Sequence, residues 1–303
     1  SNLGPVDEFT VPLGLTQVAW CENDHLPRDG YDEGFENRVL SPLEVTKQGN
    51  ESGTRYPDEQ ATNHERYIDE AKAVVERIEK HSGEDPPPVV FYDGPLVPSF
   101  ANVFESDVRQ MYFDAMSEIL AASEHHGVPV IGYTAYSGEA DIAKMLRWTF
   151  PDDIRELDFV KDARILDGFT KSWGDRSPLY VNRHGGTVDE LKYTYNGKEY
   201  EFKDQMTFTY LNSSGSDVWG MDRIEMPGWI IERELVDYVL DVVRAEAGIG
   251  RGYPEILQQA DANAVLDTND KREFMSLVQR FAEEHDLPIE WDMKSLSKQR
   301  RRR

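Results

Sequence analysis

The sequence predicts an α/β fold in which a mixed β-sheet is flanked by helices. Hydrophobic residues make up 39% and aromatic residues 11% of the 303 residues, which is enough for a packed core. Two apolar, β-rich runs at residues 88–95 and 128–133 are separated by a segment, residues 105–126, whose apolar positions repeat with the period of a helix. The order strand, helix, strand is typical of a βαβ crossover and therefore of an α/β sheet.

The charge balance limits the partners that can be expected. The chain carries 57 acidic and 33 basic residues, a net charge of −24. Such an excess is typical of the heavily solvated surface of proteins adapted to high salt, and we expect a halophilic source. It weighs against nucleic acid as a partner, because phosphate affinity needs Lys and Arg. The exception is the basic tail at residues 294–303, which either contacts phosphate or is simply solvated.

Cysteine content and hydropathy bear on the cellular location. Cys21 is the only cysteine, which excludes an internal disulfide and a zinc cage built from thiolates. No apolar run approaches the roughly 20 residues that a membrane-spanning helix needs. The first residues also lack the charged and then apolar pattern of a signal peptide. We therefore expect a cytoplasmic protein without a membrane partner.

The N-terminal third leads up to the first strong strand signal. Residues 1–62 are rich in Gly, Pro, Asn and acidic residues and predict short strands and loops. A helix is predicted at residues 63–80, and the Gly- and Pro-containing segment at residues 82–87 ends it. The run at residues 88–95 then predicts a buried strand with a carboxylate, Asp93, at its carboxyl end.

The rest of the chain also combines strands and helices. The hairpin at residues 191–202 is the clearest β signal, because Asn196-Gly197 favours a type I′ turn and aromatic residues alternate on both sides of it. The other predicted strands are residues 128–133, 206–211 and 222–226. The other predicted helices are residues 105–126, 141–148, 231–246, 253–266 and 271–285. With no internal repeat and no long linker, residues 1–293 are expected to form a single domain, followed by the tail at 294–303.

Two carboxylates are the first candidates for chemistry. Asp93 ends a predicted central strand beside Gly94, a position from which many α/β enzymes present a metal ligand or a base. The alternative is an aspartate that only caps a turn. Glu70, on the preceding helix, could share Mg²⁺ or Mn²⁺ with Asp93, as metal-assisted phosphodiester hydrolysis requires. Glu76 competes with Glu70, and either could belong to a solvated helix face.

Residues 252–261 supply the third candidate cluster. Pro254, preceded by Gly252, predicts the start of a helix. Tyr253 and Asp261 are eight residues apart, so that both could face one cleft from nearly the same side of that helix. The alternative is an ordinary helix start with a surface aspartate. The absence of HExxH, Walker, Gly-x-Gly-x-x-Gly and Gly-x-Ser-x-Gly motifs weighs against nucleotide hydrolases, dinucleotide oxidoreductases and serine esterases.

The order of these segments resembles that of the NurA family of nucleases. Residues 91–97 resemble the second acidic motif of the family, and residues 66–70 resemble the helix segment before it. Residues 174–180, which contain Arg176, are similar to a Gly-x-Arg-Ser segment of the family. Further similar segments follow in the same order at residues 132–147, 208–211, 222–229 and 252–261. The resemblance covers about residues 63 to 290.

The resemblance implies an RNase H-like core and a homodimer that encloses a channel. It also implies Mn²⁺-dependent single-strand endonuclease and 5′-to-3′ exonuclease activity in the resection of DNA double-strand breaks, together with the hexameric DNA-translocating ATPase HerA. Asp93, Glu70 and Asp261 would then be catalytic ligands of Mn²⁺ or Mg²⁺. Tyr253 would help to position the metal site or the phosphate. The candidate contacts to DNA are Arg176, Arg300 and Arg301.

Two features depart from the family pattern. The first family motif, an Asp-Gly-Ser on the opening strand, has no counterpart in residues 1–62, where Asp24 and Asp32 are poor candidates. Asp261 stands where the family usually has His, and a carboxylate can bind Mg²⁺ or Mn²⁺ but cannot act as an imidazole ligand. Either the chain is truncated upstream of Ser1, as the missing Met suggests, or the site is incomplete.

Two other functions remain open at this point. The first is a catalytically impaired, NurA-like binding subunit of the translocase complex, which the missing first motif and Asp261 favour. The second is an unrelated acidic α/β hydrolase that does not touch DNA, which the net negative charge favours.

Overall fold

A computed structural model describes most of the chain. The described residues are 14–23, 30–48, 55–58, 60–151, 160–183, 186–213, 221–265, 276, 279, 280 and 283. Contacts divide them into a smaller and a larger unit. The smaller unit has residues 14–17, 35–48, 55–58, 60–65, 264–265, 276, 279, 280 and 283, and the larger unit has residues 18–23, 30–34 and those described between 66 and 263. A single domain over residues 1–293 stays a prediction, and the basic tail lies outside the described residues.

The N-terminal part contains two pairs of strands. They are β1 (Gly14–Glu22), β2 (Asp32–Leu40), β3 (Thr46–Gln48) and β4 (Arg55–Pro57). β1 pairs with β2, and β3 pairs antiparallel with β4. The prediction of strands and loops is confirmed, but only β3 and β4 are short, with 3 residues each, whereas β1 and β2 have 9 residues each. Within the smaller unit, Leu40, Val45 and Ala61 form a buried apolar cluster.

From residue 60 onward the chain alternates helices and strands. The helices are α1 (Ala61–Lys80), α2 (Ser106–His126), α3 (Asp141–Thr149), α4 (Asp162–Leu166), α5 (Trp229–Glu232), α6 (Val236–Ile249) and α7 (Glu255–Asn263). The strands are β5 (Val90–Asp93), β6 (Val130–Thr134), β7 (Tyr180–Val181), β8 (Lys192–Tyr195), β9 (Lys198–Glu201), β10 (Met206–Leu211) and β11 (Asp222–Pro227). No helix in the described part of the chain is both long and apolar enough to span a membrane.

The larger unit is built on a five-stranded mixed sheet with the spatial order β5-β6-β11-β10-β7. β5 and β6 are parallel, and Asp93 is paired with Tyr133 at the carboxyl end of this pair. The other neighbouring strands are antiparallel. Because α2 connects β5 to β6 in the sequence, the predicted βαβ crossover is confirmed.

Helices cover both faces of this sheet, since successive side chains of a strand point to opposite faces. Val130 belongs to the apolar cluster that contains Ile78 of α1 and Met116 of α2. The next residue, Ile131, belongs to a second cluster with Val243 of α6. β10 and β11 are buried at every position, as expected of strands covered on both faces. The predicted α/β fold with a mixed sheet flanked by helices is therefore confirmed, and the sheet is compatible with an RNase H-like core.

The hairpin β8–β9 has the predicted turn. Asn196 and Gly197 have positive φ angles of 47° and 78°, which a type I′ turn requires. The hairpin packs on α2, and Tyr200 and Phe202 are buried in the same apolar cluster as Met116. The turn chemistry thus brings an apolar hairpin face onto α2.

Of the three helices predicted in the C-terminal part, two differ from the structure and one lies mostly outside the described residues. The single helix predicted at residues 231–246 is interrupted, because Glu234 adopts a left-handed φ of 59° between α5 and α6. Apolar periodicity continues across this break and does not reveal it. The helix predicted at residues 253–266 begins only at Glu255, so that Tyr253 lies in the turn before α7. Most of the helix predicted at residues 271–285 lies outside the described residues.

Candidate active site

Asp93 lies where β5 ends and the chain turns sharply. Gly94 follows with a φ of 137°, which favours glycine, and its N–H donates a 3.0 Å hydrogen bond to the Tyr133 carbonyl oxygen. The chain then passes close to Gly132 of β6, where an added Cβ would lie 2.6 Å from the Gly94 carbonyl oxygen. This close turn leaves the side chain of Asp93 exposed at the end of the strand.

Glu225 of β11 holds the loop that follows Asp93. Its Oε2 atom accepts hydrogen bonds from the backbone N–H groups of Leu96, at 2.8 Å, and Val97, at 3.1 Å. Its Oε1 atom accepts a 2.9 Å hydrogen bond from Nε of Arg223. Both charged side chains are buried, where each must be paired and hydrogen-bonded to offset its lost hydration. The sheet therefore fixes the position of the loop next to Asp93.

Tyr253 connects the turn before α7 to Asp93. Its hydroxyl donates to Oδ1 of Asp93 at 3.5 Å, a long hydrogen bond. Its ring packs edge-on against Tyr133, with the ring centroids 5.7 Å apart, and the Tyr133 hydroxyl donates to buried Asp222. Burial, together with the charges of Asp93 and Asp261, raises the pKa of Tyr253. Its hydroxyl therefore keeps its proton at neutral pH and remains a donor.

Glu246 of α6 fixes the beginning of α7. Its Oε2 atom accepts a 2.9 Å hydrogen bond from the backbone N–H of Ile256. The side chains of Tyr31 and Asn23 also donate to this buried carboxylate, at 3.2 and 3.3 Å. A carboxylate at a helix N-terminus satisfies an otherwise unpaired N–H group and interacts favourably with the helix dipole. Glu246 therefore positions the segment that carries Tyr253.

Three carboxylates share one electrostatic environment at this end of β5. Burial raises the pKa of Glu70; Arg66 lowers it, and Asp93 and Asp261 raise it again. Asp93 and Asp261 are open to solvent, but the protein atoms around each of them remove part of its hydration and so raise its pKa. Asp261 raises the pKa of Asp93 further, while Tyr253 and Arg66 lower it in part. The three carboxylates thus lie within electrostatic reach of one another, and Tyr253 lies within reach of Asp93 and Asp261.

The surroundings of Glu70 distinguish it from its competitor on α1. Glu76 is six residues further along, about 120° away around the helix axis, and its side chain is exposed. Glu70 interacts instead with Asp93 and Asp261, and this difference favours Glu70 as the site residue. Among the described residues, no group of three or more His, Cys, Asp or Glu side chains already has the arrangement of a metal site.

The remaining sequence candidates lie elsewhere. Nη1 of Arg176 donates a 3.2 Å hydrogen bond to the Ser177 carbonyl oxygen, and Nη2 lies 3.6 Å from a carboxylate oxygen of Asp237. A contact between Arg176 and DNA stays a prediction. Asp32 is the first residue of β2 and is exposed. Asp24, Arg300 and Arg301 lie outside the described residues.

Sequence reasoning did not single out Arg66, Asp222 or Glu246. Arg66 and Glu70 are one helical turn apart, and this spacing is a usable signal for an ion pair. Asp222 begins a fully buried strand, and Glu246 lies among the apolar residues of α6. Acidic residues inside apolar segments indicate buried hydrogen-bond acceptors, but the pattern alone does not identify their donors.

The raised carboxyl pKa values predict a gain of stability when one charge is removed. Since these pKa values are higher in the folded than in the unfolded state, the stability of the folded state falls as the pH rises from about 4 through the raised values. In EDTA at pH 7, we expect Asp93→Asn to increase the free energy of unfolding by roughly 0.5 kcal/mol, a figure reduced for solvent screening. Urea unfolding at pH 7 and near pH 4 measures this gain, which should shrink at the lower pH. An equal gain at both values would contradict the charge explanation.

Comparison with known proteins identifies the family. Neither the curated proteins nor the solved structures contain a significant match to this chain. The sequence model of the NurA domain, however, matches residues 1–266, a range that includes every described residue of the site. The match removes the hypothesis of an unrelated hydrolase. The chain therefore belongs to the NurA family, a family of nucleases.

Proposed function

We propose that this chain is a metal-dependent DNA nuclease, with single-strand endonuclease and 5′-to-3′ exonuclease activity on DNA ends. The observation that carries the proposal is the hydrogen bond from Tyr253 to Asp93, beside the carboxylates of Glu70 and Asp261. These residues come from α1, the end of β5, the turn before α7 and α7 itself. Carboxylates that only solvate a surface repel one another, and their convergence from distant segments is better explained by a shared cation.

The donor set fits a hard divalent cation such as Mn²⁺ or Mg²⁺. Carboxylate oxygens are the ligands that these ions prefer. The pKa values of Glu70 and Asp93 are raised mainly by burial and further by neighbouring negative charge, and a bound cation would stabilise the ionised form of both groups. Asp93, Glu70 and Asp261 would hold the ion. The chemistry that it supplies is stabilisation of negative charge on the scissile phosphate.

The side chains of the protein position this reaction. Tyr253 keeps its proton and donates to Asp93, which orients the carboxylate, or to a phosphate oxygen of the substrate. Tyr133 supports the ring of Tyr253 from the strand beside Asp93. Glu225 keeps the loop after Asp93 in place, so that the carboxylate does not need to be ordered when DNA binds. In the cell, the chain would act as a homodimer with a HerA-type hexameric ATPase during DNA end resection.

Cleavage of a labelled oligonucleotide tests the proposal. The purified chain should degrade single-stranded DNA in Mn²⁺ or Mg²⁺ and should not degrade it in EDTA. A label at either end of the strand, in separate reactions, reports the direction of exonucleolytic degradation. A folded protein that cleaves in none of these ions would contradict the proposal.

A second candidate function is that of a binding subunit without catalysis. It is favoured by the absence, among the described residues, of three ligands already arranged for a metal, and by Asp261 in place of the family's His. This function predicts that the chain captures the HerA-type ATPase and binds DNA, but does not cleave DNA whichever divalent ion is added. The cleavage assay therefore separates the two candidates.

A further inference from the structure

Arg66, an exposed residue, forms an ion pair with half-buried Glu70, one of the candidate metal ligands. It lies one turn before Glu70 on α1, and its Nη1 atom is 3.1 Å from Oε1 of Glu70. The Arg66 side chain is 55% exposed, against 31% for that of Glu70. An ion pair with this exposure contributes about 1 kcal/mol or less, so that the guanidinium can exchange Glu70 for another anion at low cost.

The charge of Arg66 also reaches beyond Glu70. It opposes the rise in the pKa of Asp93, and it also opposes the rise in the pKa of Tyr92 and of Tyr112. Arg66 is therefore a cation next to Glu70 and Asp93, two of the three carboxylates that would hold the metal. This position is notable in a chain whose net charge is −24, because DNA must approach the site against that charge.

The other arginine of α1, Arg77, contacts residues of β1 instead of the candidate site. Arg77 lies 3.1 Å from a carboxylate oxygen of Glu22, and its guanidinium stacks over the ring of Trp20 at 4.3 Å. Lys72 is exposed and six residues beyond Arg66, so that it projects from a different side of the helix. Arg66 is thus the basic residue of α1 that the electrostatics place beside the carboxylates.

We propose that Arg66 contacts the scissile phosphate during the reaction and forms an ion pair with Glu70 when no divalent ion is present. The inference rests on the proposed nuclease function and adds a substrate-contacting residue to it. Glu70 can be neutralised either by Arg66 or by the divalent ion. With the ion on Glu70, the guanidinium is free to offer its paired N–H groups to two oxygens of one phosphate, an arrangement that arginine favours. Arg66 therefore has opposite effects on the binding of the divalent ion, which it weakens, and on the binding of DNA, which it strengthens.

These opposite effects make the proposal testable without measuring cleavage. In Arg66→Gln at pH 8 and without DNA, the affinity for Mn²⁺, measured by calorimetry, should rise about threefold, since a competing cation is lost. The affinity for a fluorescent single-stranded oligonucleotide in Ca²⁺ should fall about tenfold at low salt. The slope of log affinity against log salt concentration should become shallower by about 0.7, the value for one phosphate contact on a single strand.

Matched variants separate this role from a structural one. Lys72→Gln removes the same charge from the same helix and should leave both affinities within about twofold of those of the unchanged protein. Arg66→Lys keeps the charge and should restore most of the salt dependence. The proposal is overturned if Arg66→Gln binds Mn²⁺ no more tightly, or if its salt dependence is unchanged. If the unchanged protein binds neither Mn²⁺ nor DNA, the nuclease proposal fails as well; if it binds both and only the Arg66 effects are missing, the nuclease proposal stands.

Discussion

Asp93→Asn is expected to lower the rate of Mn²⁺-dependent DNA cleavage on the order of 1000-fold, equivalent to about 4 kcal/mol of transition-state stabilisation. The amide has the size of the carboxylate and can still accept the hydrogen bond from Tyr253, so that the local structure is preserved. What is lost is the negative charge that would hold the cation at the end of β5. Initial cleavage rates at saturating Mn²⁺ give the ratio, and urea unfolding shows that the variant is folded.

Two variants of α1 provide the comparison for this result. Glu70→Gln should cause a similar loss, because Glu70 shares the electrostatic environment of Asp93 and Asp261. Glu76→Gln changes the same type of side chain on an exposed part of the same helix and should cleave at nearly the unchanged rate. If the cleavage rate of Asp93→Asn is within threefold of that of the unchanged protein, Asp93 is not a metal ligand of the active site. Equal losses in both glutamate variants would remove the distinction between Glu70 and Glu76.

Glu225→Leu is expected to reduce the free energy of unfolding by about 3 to 5 kcal/mol, the usual cost of breaking a buried ion pair. The substitution leaves buried Arg223 with Asp141, 2.7 Å away, as its remaining carboxylate partner. It also leaves the backbone N–H groups of Leu96 and Val97 without their acceptor. Urea unfolding measures the loss. Because these N–H groups belong to the loop after Asp93, the variant should also lose activity under conditions in which it is still folded.

A double substitution tests whether the charge pair is the cause. Arg223→Met combined with Glu225→Leu should cost less than the sum of the two single changes, by about 1 to 3 kcal/mol, because neither charge is left unpaired. An exposed pair provides the control: Arg183, 74% exposed, lies 2.9 Å from Asp204, and Arg183→Gln should change stability by less than about 0.5 kcal/mol. A loss below about 1 kcal/mol in Glu225→Leu would show that the network contributes little.

Sequence reasoning was most successful where a local pattern has one physical solution. The strand that ends at Asp93 and the parallel strand after α2 follow from apolar β-rich runs separated by a helical period. The hairpin turn follows from Asn196-Gly197, since few other pairs accept two positive φ angles. The break at Glu234 could not be predicted in this way, because no glycine or proline marks it.

The candidate site was predictable in its members and not in its geometry. The spacing of eight residues between Tyr253 and Asp261 suggested that both lie on one face of a helix. In the structure Tyr253 precedes α7, and it reaches Asp93 from a turn that Glu246 anchors. That anchor depends on donors more than 200 residues away in the sequence, such as Tyr31 and Asn23, and no local pattern specifies such partners. The ion pair between Arg66 and Glu70 is local and was accessible from the sequence alone.

The most direct test of the shared cation is the anomalous scattering of Mn²⁺ in crystals of the protein soaked with this ion. We expect an anomalous difference peak within coordination distance of the carboxylate oxygens of Asp93 and Glu70, with Arg66 displaced from Glu70. The same soak of Asp93→Asn crystals should show no such peak. Well-ordered crystals of the unchanged protein without a peak at these carboxylates, or with Mn²⁺ bound only at other sites, would contradict a cation shared by Asp93 and Glu70.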